Sequence, residues 1–263
     1  MRAIRDPGGR VAGTGEDVSP RIEEAGLRQQ GDSNDHDRYP GGRPSGHADR
    51  PCGGVFARAW GRSFATLYDP LMARTERRGN AARRAKLLSK ATGTVVELGA
   101  GTGHNLEHYP PGVDLILTEP YDAMAGRLER RVAASDRTAR VIRSGAESLP
   151  LPDDSADTVV STLVLCTVDD VDLALAEAKR VLRPGGQLLF VEHVAAEDGL
   201  LLRWQKRTRN FWHGFACGCH TDRQTEQSIR KAGFRIDDLS TGELEIDLPL
   251  IRPLIWGAAT NGT

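Results

Sequence analysis

The chain has 263 residues, of which 39% are hydrophobic, and a formal net charge of −1 at pH 7. This length allows one substantial hydrophobic core. The near-neutral charge, without a basic stripe that carries aromatic side chains, argues against a nucleic-acid partner. The four cysteines predict reduced thiols and not a disulfide framework, since no secretory signal is recognisable.

Residues 1–52 alternate Gly, Asp, Arg, Pro and Ser with almost no aromatic residues. Such a segment cannot bury enough surface to offset the entropy of ordering the chain, so we predict a disordered tail before one domain over residues 53–263. No segment has the apolar length of a signal peptide core or of a bilayer span. We therefore expect a cytoplasmic protein without an integral membrane segment.

The chain from Val55 to Lys90 has helical periodicity with an interruption at Asp69 and Pro70. Apolar side chains three and four positions apart form one stripe of the first helix: Phe56, Trp60, Phe64 and Leu67. The second helix carries cations that we expect on its solvated face: Arg77, Arg78, Arg83, Arg84 and Lys86.

The stretch from Thr94 to Asn105 reads as a buried strand that ends in a glycine-rich turn. Gly99, Gly101 and Gly103 leave no Cβ between the backbone and a bound ligand, and they allow positive φ angles. In an open α/β sheet this turn lies in the crevice beyond the carboxyl ends of the strands. The pattern favours a nucleotide-type cofactor site.

A second apolar run, Val113–Thr118, ends at Glu119. An acid at this distance from the glycine turn can chelate a ribose diol. The dinucleotide fingerprint G-x-G-x-x-G binds a pyrophosphate at the helix terminus. The glycine spacing in this chain, G-x-G-x-G, differs from that fingerprint. Glu97, at the end of the first strand, repels a pyrophosphate and attracts an ammonium group, so a cationic cofactor is favoured over NAD.

After Glu119 the predicted elements alternate between helix and strand. They are a helix from Asp122 to Ala134, strands 139–143 and 158–165, a helix from 170 to 182 and a strand from 187 to 193. Strands joined through helices predict an α/β fold with right-handed crossovers and helices on both faces of a parallel sheet. The last two strands, 234–239 and 254–259, have no helix between them and predict an antiparallel hairpin.

Three segments resemble the class I S-adenosylmethionine-dependent methyltransferases of type 11: Val96–Gly103, Ala146–Asp157 and Arg180–Gly186. The resemblance implies a Rossmann-like, seven-stranded, mostly parallel sheet with an antiparallel last strand, and S-adenosylmethionine as cofactor. It assigns Glu97 and the glycine turn to the methionine part, Glu119 to the ribose, and Ala146 with Glu147 to the adenine. The implied cofactor-binding residues are Glu97, Gly99, Ala100, Gly101, Gly103, Asn105, Glu119, Pro120, Ala146, Glu147 and Leu163.

Many relatives carry an acid where this chain has Gly145, so recognition of the adenine amine is expected to pass to Glu147. We expect Pro184–Gly186 to form the turn into the fifth strand and not to contact a ligand.

Three further segments resemble the thiol S-methyltransferase branch: Thr162–Val168, Glu192–Ala196 and Gly218–His220 followed by Arg223. That branch methylates small alkyl thiols or sulfide, and its animal members carry an amino-terminal membrane anchor that is not recognisable here. The resemblance implies a thiol or sulfide as acceptor.

A thiol reacts as its thiolate, so a neutral histidine near the acceptor can serve as base. His193, at the end of the fifth strand, is our candidate, with a structural role for this residue as the alternative. The expected pocket residues are Cys166, Trp204, Trp212, His213, Cys219 and His220. Cys217–His220 lacks the paired C-x-x-C spacing of zinc sites, so we expect no metal.

The segment from Leu200 to His213 interleaves apolar residues with cations. It is interpreted as an amphipathic lid, with an interfacial membrane helix or core packing as alternatives.

The sequence thus predicts an S-adenosylmethionine-dependent methyltransferase that acts on a small-molecule thiol or sulfide. The alternatives are C-, O- or N-methylation of a quinone, phenol or lipid amine, and a non-catalytic cofactor-binding or membrane-surface protein.

Overall fold

The computed structural model describes residue 70 and residues 73–215 and 218–262. The predicted tail and the apolar stripe of the first predicted helix lie outside these residues. The predicted second helix is present as a π-helical turn, Glu76–Asn80, that runs into α1, Ala81–Leu88.

The described strands are β1 (Thr94–Leu98), β2 (Asp114–Thr118), β3 (Ala139–Ile142), β4 (Ala156–Thr162), β5 (Leu182–His193), β6 (Phe234–Glu243) and β7 (Pro253–Asn261). The further helices are α2 (Asp122–Ala133), α3 (Val171–Val181), α4 (Gly199–Phe215) and α5 (Thr225–Lys231). They surround one sheet of order β3-β2-β1-β4-β5-β7-β6.

The first five strands are parallel, and β7 runs antiparallel to both β5 and β6. This confirms the predicted α/β fold with its terminal hairpin. From β1 the chain adds β2 and β3 on one side and then β4 and β5 on the other, so the direction of strand order reverses between β1 and β4. Open α/β sheets bind ligands at this switch point.

Alternate side chains of β1 enter different hydrophobic cores, as the two-residue period of a strand requires. Val96 and Leu98 join the core that packs under α3 and α5. Val95 joins a second core with Leu88 of α1 and Leu128 of α2. Helices therefore cover both faces of the sheet, and the site is left to the strand ends. Within the described residues, no helix combines the length and apolar character needed to cross a membrane.

The strand predicted over 158–165 is in error at its end, because β4 stops at Thr162. Leu163 has a left-handed φ of 60°, which takes the chain out of the ladder. The backbone N–H groups of Val164 and Leu165 then donate to Glu192 Oε1, each at 3.1 Å. The buried Glu192 carboxylate thus satisfies the amides that the sheet no longer pairs.

Candidate active site

The glycine turn after β1 contains two kinds of glycine. A Cβ on Gly99 would lie 3.0 Å from Val164, and one on Gly103 would lie 2.8 Å from Leu128. Packing therefore requires glycine at these two positions. A Cβ on Gly101, where φ is +59°, would meet nothing within 4 Å. Gly101 therefore borders open space at the predicted cofactor position, where a branched side chain would enter.

Glu119, just after β2, reaches over this turn. Its Oε2 accepts a hydrogen bond from the Gly101 N–H at 2.9 Å, and its Oε1 accepts one from the Tyr121 N–H at 3.0 Å. Burial raises the pKa of Glu119 to about 7, although these two backbone hydrogen bonds oppose the shift. The Glu119 carboxylate thus joins the end of β2 to the glycine turn.

Glu97 lies at the floor of the site and is held by two neutral donors. Asn105 Nδ2 donates to Oε1 at 2.8 Å, and the Tyr109 hydroxyl donates to Oε2 at 2.7 Å. Burial raises the pKa of Glu97, while these hydrogen bonds and the charge of Arg84 oppose the rise.

The prediction that Arg84 lies on a solvated helix face is wrong, because Arg84 is only 3% exposed. Its Nη1 donates to Asn105 Oδ1 at 2.7 Å, and its Nε donates to Glu76 Oε1 at 3.2 Å. Helical spacing alone groups Arg84 with its charged neighbours, and no local signal in the sequence distinguishes it. Arg84 ties α1 to the glycine turn and brings a cation near Glu97.

A narrow cleft lies along the glycine turn, beside Glu97 and Arg84. Its lining residues are Arg84, Glu97, Gly99, Ala100, Gly101, Thr102, His104, Asn105 and Thr162. The open position at Gly101 and the buried Glu97 carboxylate both border this cleft. A wider depression between α3 and α5, which includes Lys179 and Asn261, lies at the amino-terminal edge of β5 and holds none of the predicted residues.

The remaining predicted cofactor residues lie on the segments that follow neighbouring strands. Ala146 is buried, and Pro120 and Leu163 are partly buried. Glu147 is partly buried, and its Oε1 accepts a hydrogen bond from the Asp169 N–H at 2.9 Å. This bond links the expected adenine region to the segment before α3.

A second group of side chains meets at the end of β5. His193 Nε2 lies 2.9 Å from Cys219 Sγ, and Trp212 Nε1 donates to the same sulfur at 3.2 Å. Cys166, from the segment after β4, is buried in the same cluster. The predicted pocket residues Cys166, Trp212 and Cys219 therefore lie together with the predicted base His193.

The backbone holds this cluster in place. His220 N–H donates to Cys166 O at 2.8 Å, and Arg223 Nη1 donates to Val168 O at 2.8 Å. The segment after α4 is thereby joined to the segment after β4.

The other predicted pocket residues lie outside the cluster. The rings of His213 and His220 are 4.8 Å apart; His213 is exposed and His220 is partly buried. Trp204 is 51% exposed on α4, where Leu200 and Phe211 are also exposed. The inward face of α4 carries Trp212.

Gln205 is a residue that the sequence analysis missed. It is fully buried on α4. Its Oε1 accepts from the Ala196 N–H at 2.8 Å, and its Nε2 donates to Leu250 O at 2.9 Å. Gln205 therefore anchors α4 to the segment that follows β5. The one sequence signal for this role is that Gln205 is an uncharged polar residue among apolar and cationic neighbours.

The cluster is also the group of described residues that could hold a metal ion, since one donor atom each of Cys166, His193 and Cys219 lie within 4.8 Å of one another. Two observations disfavour this. The Nε2 to Sγ distance of 2.9 Å is shorter than the separation of about 3.5 Å that tetrahedral zinc imposes on nitrogen and sulfur ligands. His193 Nδ1 also has no hydrogen-bond partner within the described residues, whereas metal-bound histidines are normally oriented through the other nitrogen.

Comparisons with known proteins identify the family of the chain. Residues 96–190 match the family described as "Methyltransferase domain". The chain is 38% identical over 145 residues to thiol S-methyltransferase TMT1B of Rattus norvegicus, covering 54% of this chain and 59% of the relative. It is 34% identical over 172 residues to thiol S-methyltransferase TMT1A of Homo sapiens, covering 64% of this chain and 70% of the relative.

A solved SAM-dependent methyltransferase from Thermotoga maritima has the same fold. Its TM-score is 0.57 at 23% identity, with 77% of this chain and 98% of that chain covered.

Proposed function

Since this chain belongs to the class I S-adenosylmethionine-dependent methyltransferases of type 11, within which it is similar to the thiol S-methyltransferases, we propose that it methylates the sulfur of a small thiol or of sulfide. The observation that carries the proposal is the buried cluster of His193, Cys219, Cys166 and Trp212 beyond β5. It provides a base in a dry, sulfur-lined setting at the same sheet edge as the cofactor cleft.

The cofactor half of the site holds and orients the donor. S-adenosylmethionine supplies an electrophilic methyl group on a sulfonium sulfur. Glu119 accepts the ribose hydroxyls beside Gly101, and Glu97 attracts the ammonium group from the floor of the cleft. Ala146 and Glu147 contact the adenine from the segment after β3. This set of contacts fixes the position of the methyl group relative to the strand ends.

The acceptor half prepares the sulfur nucleophile. His193 accepts the thiol proton, since a thiolate and not a thiol attacks carbon effectively. The attack is an in-line displacement, so most of the acceleration comes from alignment and from exclusion of water. The inward face of α4, which carries Trp212, covers the acceptor position. We also place the reaction in the cytoplasm, where buried Cys166 and Cys219 stay reduced.

An acceptor screen tests the proposal. The full chain is incubated with methyl-labelled S-adenosylmethionine and sulfide, alkyl thiols, phenols, quinols or amines, and products are identified by mass spectrometry. We expect label on sulfur that disappears with the Gly101→Val variant. Label on carbon, oxygen or nitrogen alone would overturn the choice of acceptor. Binding of the cofactor without any transfer would instead favour a non-catalytic binding protein.

A further inference from the structure

The Cys219 sulfur has hydrogen-bond partners from three separate parts of the fold. They are Nε2 of His193 at the end of β5, the indole N–H of Trp212 on α4 and the thiol of Cys166 after β4. The Cys219 residue is 6% exposed. Hydrogen-bond donors around a sulfur stabilise the thiolate, whereas burial disfavours it, so the partners of Cys219 must outweigh its burial for a thiolate to form.

The pKa directions agree with the geometry. The hydrogen bond from Cys166 and the proximity of His193 lower the pKa of Cys219 to about 4, despite burial. Burial raises the pKa of Cys166 well above its usual value, so Cys166 remains a thiol and a donor. Burial by itself lowers the pKa of His193, but the charge and hydrogen bond of Cys219 raise it overall.

Other charged groups face the ring as well. Glu192 of β5 raises the pKa of His193, and Arg223 from the segment before α5 lowers it. The partly buried His220 lies beside Cys219 and Arg223, which both act on its own pKa. Cys219 is the negative group in direct hydrogen-bond contact with the imidazole.

The other ring nitrogen of His193, Nδ1, lacks the kind of contact that Nε2 makes with Cys219. Nδ1 is buried and has no hydrogen-bond partner among the described residues. A neutral imidazole that donates from Nε2 has a free lone pair on Nδ1. The side chain therefore combines an occupied donor with an unoccupied buried acceptor.

Resting on the function proposed above, we propose that Cys219 is a positioning residue whose thiolate holds His193 as the Nε2–H tautomer and leaves Nδ1 to take the proton of the acceptor thiol. The S–H bond of the acceptor breaks, and its proton forms the Nδ1–H bond. The sulfur electron pair forms the new S–CH₃ bond, and the electrons of the broken methyl–sulfonium bond return to the donor sulfur. The proton later leaves His193 for solvent, so nothing is oxidised or reduced.

This arrangement has the logic of a carboxylate–histidine pair, with a thiolate in place of the carboxylate. The thiolate stabilises the imidazolium that forms during proton transfer. Trp212 and Cys166 hold the thiolate in turn, which explains why an indole N–H and a protonated thiol converge on one sulfur.

The first test reads the imidazole directly. Nitrogen NMR of the full chain with S-adenosylhomocysteine bound, with the His193 signals assigned through His193→Gln, reports the tautomer and the pKa of this ring. We expect the Nε2–H tautomer in the wild type, a lower His193 pKa in Cys219→Ala, and recovery in Cys219→Asp, which restores an anion. An unchanged tautomer and pKa in Cys219→Ala would overturn the proposal.

The second test uses turnover with the acceptor found in the screen. We expect kcat/KM of Cys219→Ala to fall roughly 10²-fold, with cofactor affinity unchanged and with more activity in Cys219→Asp than in Cys219→Ser. Equal activity of the aspartate and alanine variants would contradict a charge-based role. Stoichiometric zinc in the purified wild type that is lost in Cys219→Ala would overturn the proposal in favour of a metal centre.

The two proposals fail separately. If no sulfur acceptor is methylated, the proposed function fails, but a Cys219-dependent tautomer of His193 still supports the positioning role.

Discussion

The Glu119 carboxylate accepts a hydrogen bond from the Gly101 N–H at 2.9 Å, which connects the end of β2 to the glycine turn after β1. The residue is 4% exposed, and burial raises its pKa to about 7. The acid expected to bind the ribose therefore changes charge in the physiological range.

This titration predicts pH-dependent cofactor affinity. The ionised form accepts the ribose hydroxyls, so affinity for S-adenosylmethionine rises as the pH increases through about 7 and protons are released on binding below it. Calorimetry in buffers of different ionisation enthalpy measures both effects. Glu119→Gln removes the titrating group, and we expect weak binding without the proton release. Equal proton release in wild type and variant would contradict the assignment.

Replacement of Gly101 by valine tests the cofactor cradle. A Cβ at this position meets no protein atom within 4 Å, although the φ of +59° strains any side chain. Gly101→Val should therefore fold with some loss of stability and abolish binding by filling the cofactor's space. Gly112→Val is a matched control, because Gly112 has a φ of +84° and equally open surroundings but lies before β2, at the other end of the sheet. Calorimetric binding that is lost in both variants would point to backbone strain instead.

His193→Ala tests the base. If Nδ1 of His193 accepts the acceptor proton, turnover should fall roughly 10²-fold or more while cofactor affinity changes little. The rates are compared between about pH 6 and about pH 9, because a free thiolate becomes abundant near its own pKa and should partly rescue the variant at high pH. An unchanged rate at neutral pH would make His193 a structural residue.

Tyr109→Phe tests the support of Glu97. The variant leaves Glu97 Oε2 without its hydrogen bond of 2.7 Å, and an unsatisfied buried acceptor destabilises a fold by about 1–3 kcal/mol. Denaturant unfolding measures the loss. In a Glu97→Gln background the same substitution should cost less, since the carboxylate is gone; an equal cost in both backgrounds would show that the two side chains are not coupled.

Gln205→Leu tests the attachment of α4. It removes the hydrogen bonds to Ala196 and Leu250 and leaves buried backbone groups unpaired, at a cost of about 1–3 kcal/mol. We expect faster amide exchange in α4 and around Trp212, with cofactor binding retained. Lys206→Leu, on the exposed face of the same helix, is the control for added hydrophobicity. Unaltered exchange in Gln205→Leu would remove Gln205 as the anchor.

The sequence by itself determined the fold class and the cofactor, and it predicted which strand ends would meet. Gly99, Gly101 and Gly103 follow a buried strand directly, and Glu119 ends the next apolar run, so each signal is contained in one short segment whose conformation it also controls. Parallel strands bring residues at their carboxyl ends to the same edge of the sheet. The order of helices and strands alone therefore predicts that these residues lie near one another.

Only the tertiary structure decided which side chains are in contact beyond the end of β5. The sequence analysis places Cys219 in the expected acceptor pocket, but it gives no sign that the Cys219 sulfur contacts His193, 26 positions earlier. Arg84 was read as solvated because its segment is rich in cations, yet it is buried against Asn105 and Glu76. Neither contact has a periodic or local signature, because both depend on how segments distant in the chain pack at the ends of β1 and β5.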